Sequence, residues 1–184
     1  MLVQERKYTL DEFHAISELS ENRDRLLELI NGEIVEKMAS FEPSELALLI
    51  ARFLLNYLDE NPIGRVSGAD GSYILSPGNE VMPDVGYISK LRMPDKPPRQ
   101  VLMAPDLAVE VKSPTDSIRT VREKAALYLA HGTQMVWLVF PETQRVEIYT
   151  ADGEIADIGV NGVIDGGQVL PGFRLEVQRL FSGE

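Results

Sequence analysis

The chain has no cysteine and only two histidines among its 184 residues. Disulfides and thiolate metal sites are thereby excluded, and any divalent ion must be held mainly by oxygen, which favours magnesium or manganese over zinc. No apolar run approaches the roughly 18 residues of a membrane span, and the opening MLVQERKYTLDEF is too polar for a secretory signal. A cytoplasmic protein without membrane attachment is expected. Basic residues are scarce too: 18 Lys and Arg against 29 Asp and Glu give a net charge of -11. This balance argues against a protein that coats nucleic acid by backbone attraction. It leaves nucleic acid open as a substrate, because metal ions can neutralise an acidic active site.

What is present is an ordinary globular composition, 44% apolar and 26% charged, of a length that suits one domain over residues 1–184. Thr9 and Glu12 have the spacing of a capping box, which predicts a short helix to about Ser17. Asn31-Gly32 between strand-like runs predicts a hairpin from about Arg25 to Met38. The stretch SELALLIARFLLNYLD, Ser44 to Asp59, reads as a core helix with Ser44 as N-cap. Strands are expected at about Arg65 to Leu75 and Val81 to Ile88, followed by a Pro- and Lys-rich loop, Lys90 to Arg99, expected to be the mobile segment. After the strand around Val109, a helix is predicted from Ile118 to His131, closed by Gly132, then a buried strand QMVWLVF. The tail from Arg145 to Phe181, punctuated by Asp-Gly, Asn-Gly, Gly-Gly and Pro-Gly, reads as β-meander.

The strand APDLAVEVKSP poses the main question. Leu107, Val109 and Val111 lie on one face, and Glu110 and Lys112 share the other. Unpaired charge on a central strand is costly and usually marks a site. Taken with MPDVGYI upstream, the order helix, strand, strand, strand, helix, strand is that of the PD-(D/E)XK nucleases. Asp84 then fits the first motif, and Glu110-Val111-Lys112 the E-x-K motif.

Across nearly its whole length the chain resembles the Uma-two family of restriction-endonuclease-like proteins. The landmarks are ELINGEIV, MPDVGYIS, PDLAVEVKSPTDS, REKAALYLAHG, the strand around Trp137, and LPGFRLEVQRLF. The resemblance implies an α+β, restriction-endonuclease-like fold with a mixed central sheet flanked by helices, an N-terminal hairpin and the C-terminal meander. It further implies a metal-dependent endonuclease that hydrolyses DNA, with Mg²⁺ or Mn²⁺ on Asp84, Glu110 and the Val111 carbonyl. The residues are compatible with this: carboxylates can hold an ion that activates water, and a lysine can stabilise phosphoryl charge.

Two lysines are candidates for that last role. Lys112 shares a strand face with Glu110 and is expected to be the working one. Lys124, one helical turn from Tyr128, takes over the role in many relatives, where the position of Lys112 is apolar. Glu45 is a further candidate from the first core helix, with stabilisation of the helix N-terminus an equal alternative. Glu28 and Glu33 flank the hairpin turn, where solubility explains them as well as function does. His14 and His131 are expected to be surface or helix-end residues, and Trp137 to be core. Cutting both strands with one site per chain is easiest with two-fold symmetry, so a homodimer is expected. The competing reading is a catalytically inactive nuclease-fold module that binds nucleic acid or a protein partner.

Overall fold

In the computed structural model, which describes residues 6–38, 40–93 and 100–182, the capping box forms as its spacing requires. Thr9 accepts the Glu12 N–H at 3.3 Å, the Glu12 carboxylate accepts the Thr9 N–H at 3.0 Å, and helix α1 runs Leu10–Ser17. Strands β1 (Leu27–Ile30) and β2 (Glu33–Glu36) make the hairpin, with positive φ at both Asn31 (51°) and Gly32 (79°), as a type I′ turn demands.

Helix α2 spans Phe41–Glu60 and begins earlier than Ser44, with Ser40 as N-cap. Pro43 falls in its first turn, where the missing N–H would have had no partner anyway, so proline does not delay the start. The two strand-like runs that follow divide into four strands: β3 (Gly64–Ser67), β4 (Tyr73–Ser76), β5 (Asn79–Val81) and β6 (Val85–Ser89). The chain changes sheets within each run. β4 and β5 join the hairpin in a sheet ordered β2-β1-β5-β4, whereas β3 and β6 belong to the main sheet. Met82, Pro83 and Asp84 carry the chain from one sheet to the other. Of the Pro- and Lys-rich loop, residues 94–99 lie outside the described residues.

The main sheet continues with β7 (Leu107–Val111), then helix α3 (Ile118–Ala130), then β8 (Met135–Phe140) parallel to β7. Ser117 caps α3 by accepting the Thr120 N–H at 3.0 Å, and Gly132 (φ 99°) ends it. A single 3-10 turn, Pro141–Thr143, leads to β9 (Arg145–Thr150) and β10 (Ile155–Ile158), completing the order β10-β9-β8-β7-β6-β3. The tail is not one meander. β11 (Val163–Asp165) and β12 (Arg174–Glu176) form a separate two-stranded ribbon, ending in a short helix α4 (Gln178–Phe181). Leu170, Phe173, Leu175 and Leu180 pull this ribbon onto the main core instead of extending its edge.

The alternation in β7 decides which layer each face meets. Leu107, Val109 and Val111 pack under α2 with Ile50, Leu54 and Trp137, while Ala108 packs under α3 with Ala125 and Tyr128. Glu110 therefore faces α3. Asp106 is used structurally, accepting the Ser89 N–H at 2.7 Å and Arg92 at 2.9 Å. Among the described residues no helix is long and apolar enough to cross a membrane.

The hairpin turn offers a direct test. A side chain at Gly32 would occupy the left-handed region and meet the Lys7 Cβ at 3.0 Å. Gly32→Ala is expected to cost about 1–2 kcal/mol, measured as a lowered urea midpoint at unchanged slope.

Candidate active site

Asp84 and Glu110 meet because of strand register. β6 and β7 pair antiparallel with Val85 opposite Val109, so one further step sets Asp84 opposite Glu110 on the α3 side of the sheet. Asp84 Oδ2 accepts the Val111 N–H at 2.7 Å, and its Oδ1 lies 2.7 Å from Lys37 Nζ. Glu110 Oε1 accepts from the Tyr128 hydroxyl at 2.7 Å and lies 2.8 Å from Lys124 Nζ. Tyr128 and Lys124 are one turn apart on α3, so a single helix face delivers both.

The hairpin sheet closes over this pair. Glu28 on β1 reaches Lys124 Nζ at 2.9 Å and accepts the Met82 N–H at 2.6 Å, while Lys37, just past β2, donates to the Met82 carbonyl at 2.7 Å. Both added residues thus hold the same crossover segment that positions Asp84. Glu28 and Glu110 are buried, and Lys37, Asp84 and Lys124 nearly so.

Three carboxylates (Glu28, Asp84, Glu110) and two ammonium groups (Lys37, Lys124) can coexist in so little water only because each charge has a partner of opposite sign. Burial alone would lower the pKa of Lys124, but Glu110 and Glu28 outweigh it and hold the lysine above its ordinary range. Lys124 is therefore a cation at neutral pH, a donor and not a base. Burial, reinforced by the Glu110 and Glu28 charges, pushes Tyr128 well above the usual phenol value, so it remains a hydroxyl donor.

The structure brings Asp84, Glu110, Lys124, Tyr128 and the Val111 backbone together. It sends Lys112 elsewhere: one residue beyond the end of β7, its ammonium turns to the Ser113 carbonyl and to Glu142, both at 3.1 Å. The strict strand alternation that put Lys112 beside Glu110 does not survive past the strand end. Glu45 is exposed on α2, whose buried residues cover the opposite face of the sheet. His131 bonds the Leu127 carbonyl at 2.8 Å, His14 bonds Glu80 at 2.5 Å, and Trp137 is fully buried.

Lys37 is the residue that sequence reasoning missed, and Glu28 was left undecided there between solubility and function. Glu28 carried one usable signal, a charge between two leucines in a strand with Leu27 and Leu29 both buried. Lys37 carried none, since it follows a solvent-facing strand. The donor set suits a hard, oxygen-preferring ion in kind. Among the described residues, however, no three acidic or histidine side chains are arranged around a common ion position, because lysines occupy the space between the acids.

Two measurements follow from this electrostatic arrangement. Lys124 and Tyr128 have raised pKa values in the folded state, so the stability they contribute is complete below their unfolded values and is lost as pH rises through the folded ones. The melting temperature is expected to hold steady from neutral pH to about 9 and to fall beyond about 10. Lys124→Met leaves Glu28 and Glu110 without their shared cation and is expected to cost about 3–5 kcal/mol at pH 7. Part of that loss should return on acidification, as one acid takes up a proton.

The comparisons with known proteins agree with this architecture. A crystal structure from Anabaena variabilis, described as "a putative nuclease belonging to DUF820", superposes with a TM-score of 0.83 at 24% identity, covering 95% of this chain and 97% of that one. The shared architecture is the restriction-endonuclease-like fold expected from the order of elements. No curated protein matches the chain. The family model described as "Uma2: Putative restriction endonuclease" matches residues 10–178, nearly the whole sequence, and the chain belongs to that family.

Proposed function

We propose that this protein is an endonuclease that hydrolyses DNA phosphodiester bonds with Mg²⁺ or Mn²⁺, using Asp84, Glu110 and Lys124. The family points to a restriction-endonuclease-like nuclease, and one observation supports the finer reading. An ammonium kept charged by two buried acids sits 2.8 Å from Glu110, whose cross-strand neighbour is Asp84.

Asp84 and Glu110 would hold the ion. Val111 donates its N–H toward Asp84, and a residue in an extended strand turns its carbonyl to the same side, which makes that oxygen a third donor. When bound, such an ion polarises phosphate oxygens and lowers the pKa of water. The chain's own residues do the rest. Tyr128 fixes the rotamer of Glu110 through Oε1, and the Val111 N–H fixes Asp84 through Oδ2. Lys124 offers positive charge to the phosphoryl oxygens as negative charge grows there. Lys37 carries a second cation to the same place from the hairpin side. With a divalent ion bound, the two ammonium groups and the ion would together outweigh the three carboxylates and offset part of the repulsion expected between nucleic acid and a chain of net charge -11.

A second reading has its own supporting observation. The acids already satisfy one another's charges through Lys37 and Lys124, and a cluster closed in this way can serve as a structural core of an inactive binding module.

Plasmid nicking and labelled DNA and RNA oligonucleotides, assayed at low salt with Mg²⁺ or Mn²⁺, separate the two. Wild type is expected to cut DNA, and Asp84→Asn, Glu110→Gln and Lys124→Met to lose about 10²-fold or more in rate, with Lys112→Met keeping most of it. Ion binding to the folded state should raise the melting temperature in wild type and not in Asp84→Asn. A wild type that cuts no nucleic acid with either ion supports the inactive module instead.

A further inference from the structure

Helix α2 carries a second ordered feature, on the side away from the sheet. Phe41, Glu45, Leu48, Arg52 and Leu55 recur at alternating steps of four and three, so they form a single line along the helix. Leu46, Ile50, Phe53 and Leu54 bury the opposite side. The apolar members of the line are open to solvent, Phe41 at 83%, Leu48 at 73% and Leu55 at 49% exposure. Phe41, Leu48 and Leu55 stand two turns apart on one outermost ridge, an ordered set unlike exposed leucines scattered singly. The ridge also walls a groove of about 700 Å³, whose far side is Pro141, Leu180 and Phe181.

The charges on the ridge are uncommitted. Among the described residues Glu45 has no cationic partner, and Arg52 rests only over the ring of Phe53, 5.1 Å from its centroid. They are seven residues apart, about 10 Å along the axis at 1.5 Å per residue, too far to pair with each other.

We propose that this ridge is the interface of a two-fold dimer in which α2 packs antiparallel against α2 of a second copy. With the axis at Leu48, that residue meets its own counterpart, and Phe41 of each copy meets Leu55 of the other. Glu45 of each copy then comes opposite Arg52 of the other. A two-fold interface must be complementary to itself. This ridge meets that requirement, because its outer apolar residues lie seven positions either side of Leu48 and its flanking charges, on opposite sides of it, are opposite in sign. Apolar seams bordered by such charge pairs fix partner and orientation in helix pairs. An anionic membrane would instead favour a face with basic residues alone, and a foreign partner would have no need of the palindromic order. The proposal is independent of the nuclease reading, since α2 lies across the sheet from Glu110.

Sedimentation velocity at tens of micromolar is expected to give twice the monomer mass for wild type. Leu48→Glu places two carboxylates at the axis and should give a monomer. Glu45→Arg and Arg52→Glu each set like charges opposite one another and should weaken association ~10-fold or more. An equimolar mixture of these two variants should recover it, because both contacts of the mixed pair are again opposite in sign. All three positions are open enough to leave circular dichroism and melting unchanged, which separates dissociation from misfolding. A wild type that stays monomeric assigns the ridge to another occupant and overturns the proposal, as does a dimer indifferent to Leu48→Glu. A mixture that shows no recovery overturns the antiparallel pairing.

Discussion

One ammonium group holds three parts of this molecule in register. Lys124 comes from the helix that crosses between parallel strands, Glu110 from the strand before that helix, and Glu28 from a hairpin 96 residues upstream. Removing the cation would leave two carboxylates facing each other out of water. Removing either acid would leave a buried lysine half neutralised. The cluster is therefore a constraint on the fold as well as a candidate for chemistry: Glu110 and Glu28 keep Lys124 protonated against its burial, and that burial, together with the same two acids, keeps Tyr128 neutral.

The sequence carried the local parts of this arrangement well. The Thr9 capping box, the Asn31-Gly32 turn and the glycine closing α3 are each dictated by a few neighbouring residues, and each formed as written. Asp84 and Glu110 were legible because short acidic motifs on two strands need only a register to meet. What depended on long-range packing was not legible. Nothing local shows that the segment Arg65 to Ile88 must leave one sheet and return, yet this excursion carries Asp84 to the junction and lays Glu28 and Lys37 over it. The placement of the Lys112 side chain beside Glu110 was not legible for a related reason. Alternation along a strand is a rule for residues inside it, and Lys112 lies just outside.

The two faces of the main sheet have separate tasks. Under α2 the contacts are almost wholly apolar and extend to the C-terminal ribbon through Phe173 and Leu175. Under α3 the apolar packing around Ala108, Ala125 and Val136 gives way at one end to the charged cluster. The charged cluster on one face is thus separated from the apolar core on the other by a strand whose side chains alternate between them.

The single tryptophan of the chain gives this core a built-in reporter. Trp137 is fully buried, its ring stacks on Phe173 with centroids 5.8 Å apart, and its indole N–H has no partner among the described residues. An indole so placed emits at the blue end of its range. Because Phe173 belongs to the C-terminal ribbon and not to the sheet, the colour of that emission records whether the ribbon is seated, without any label being added to the protein.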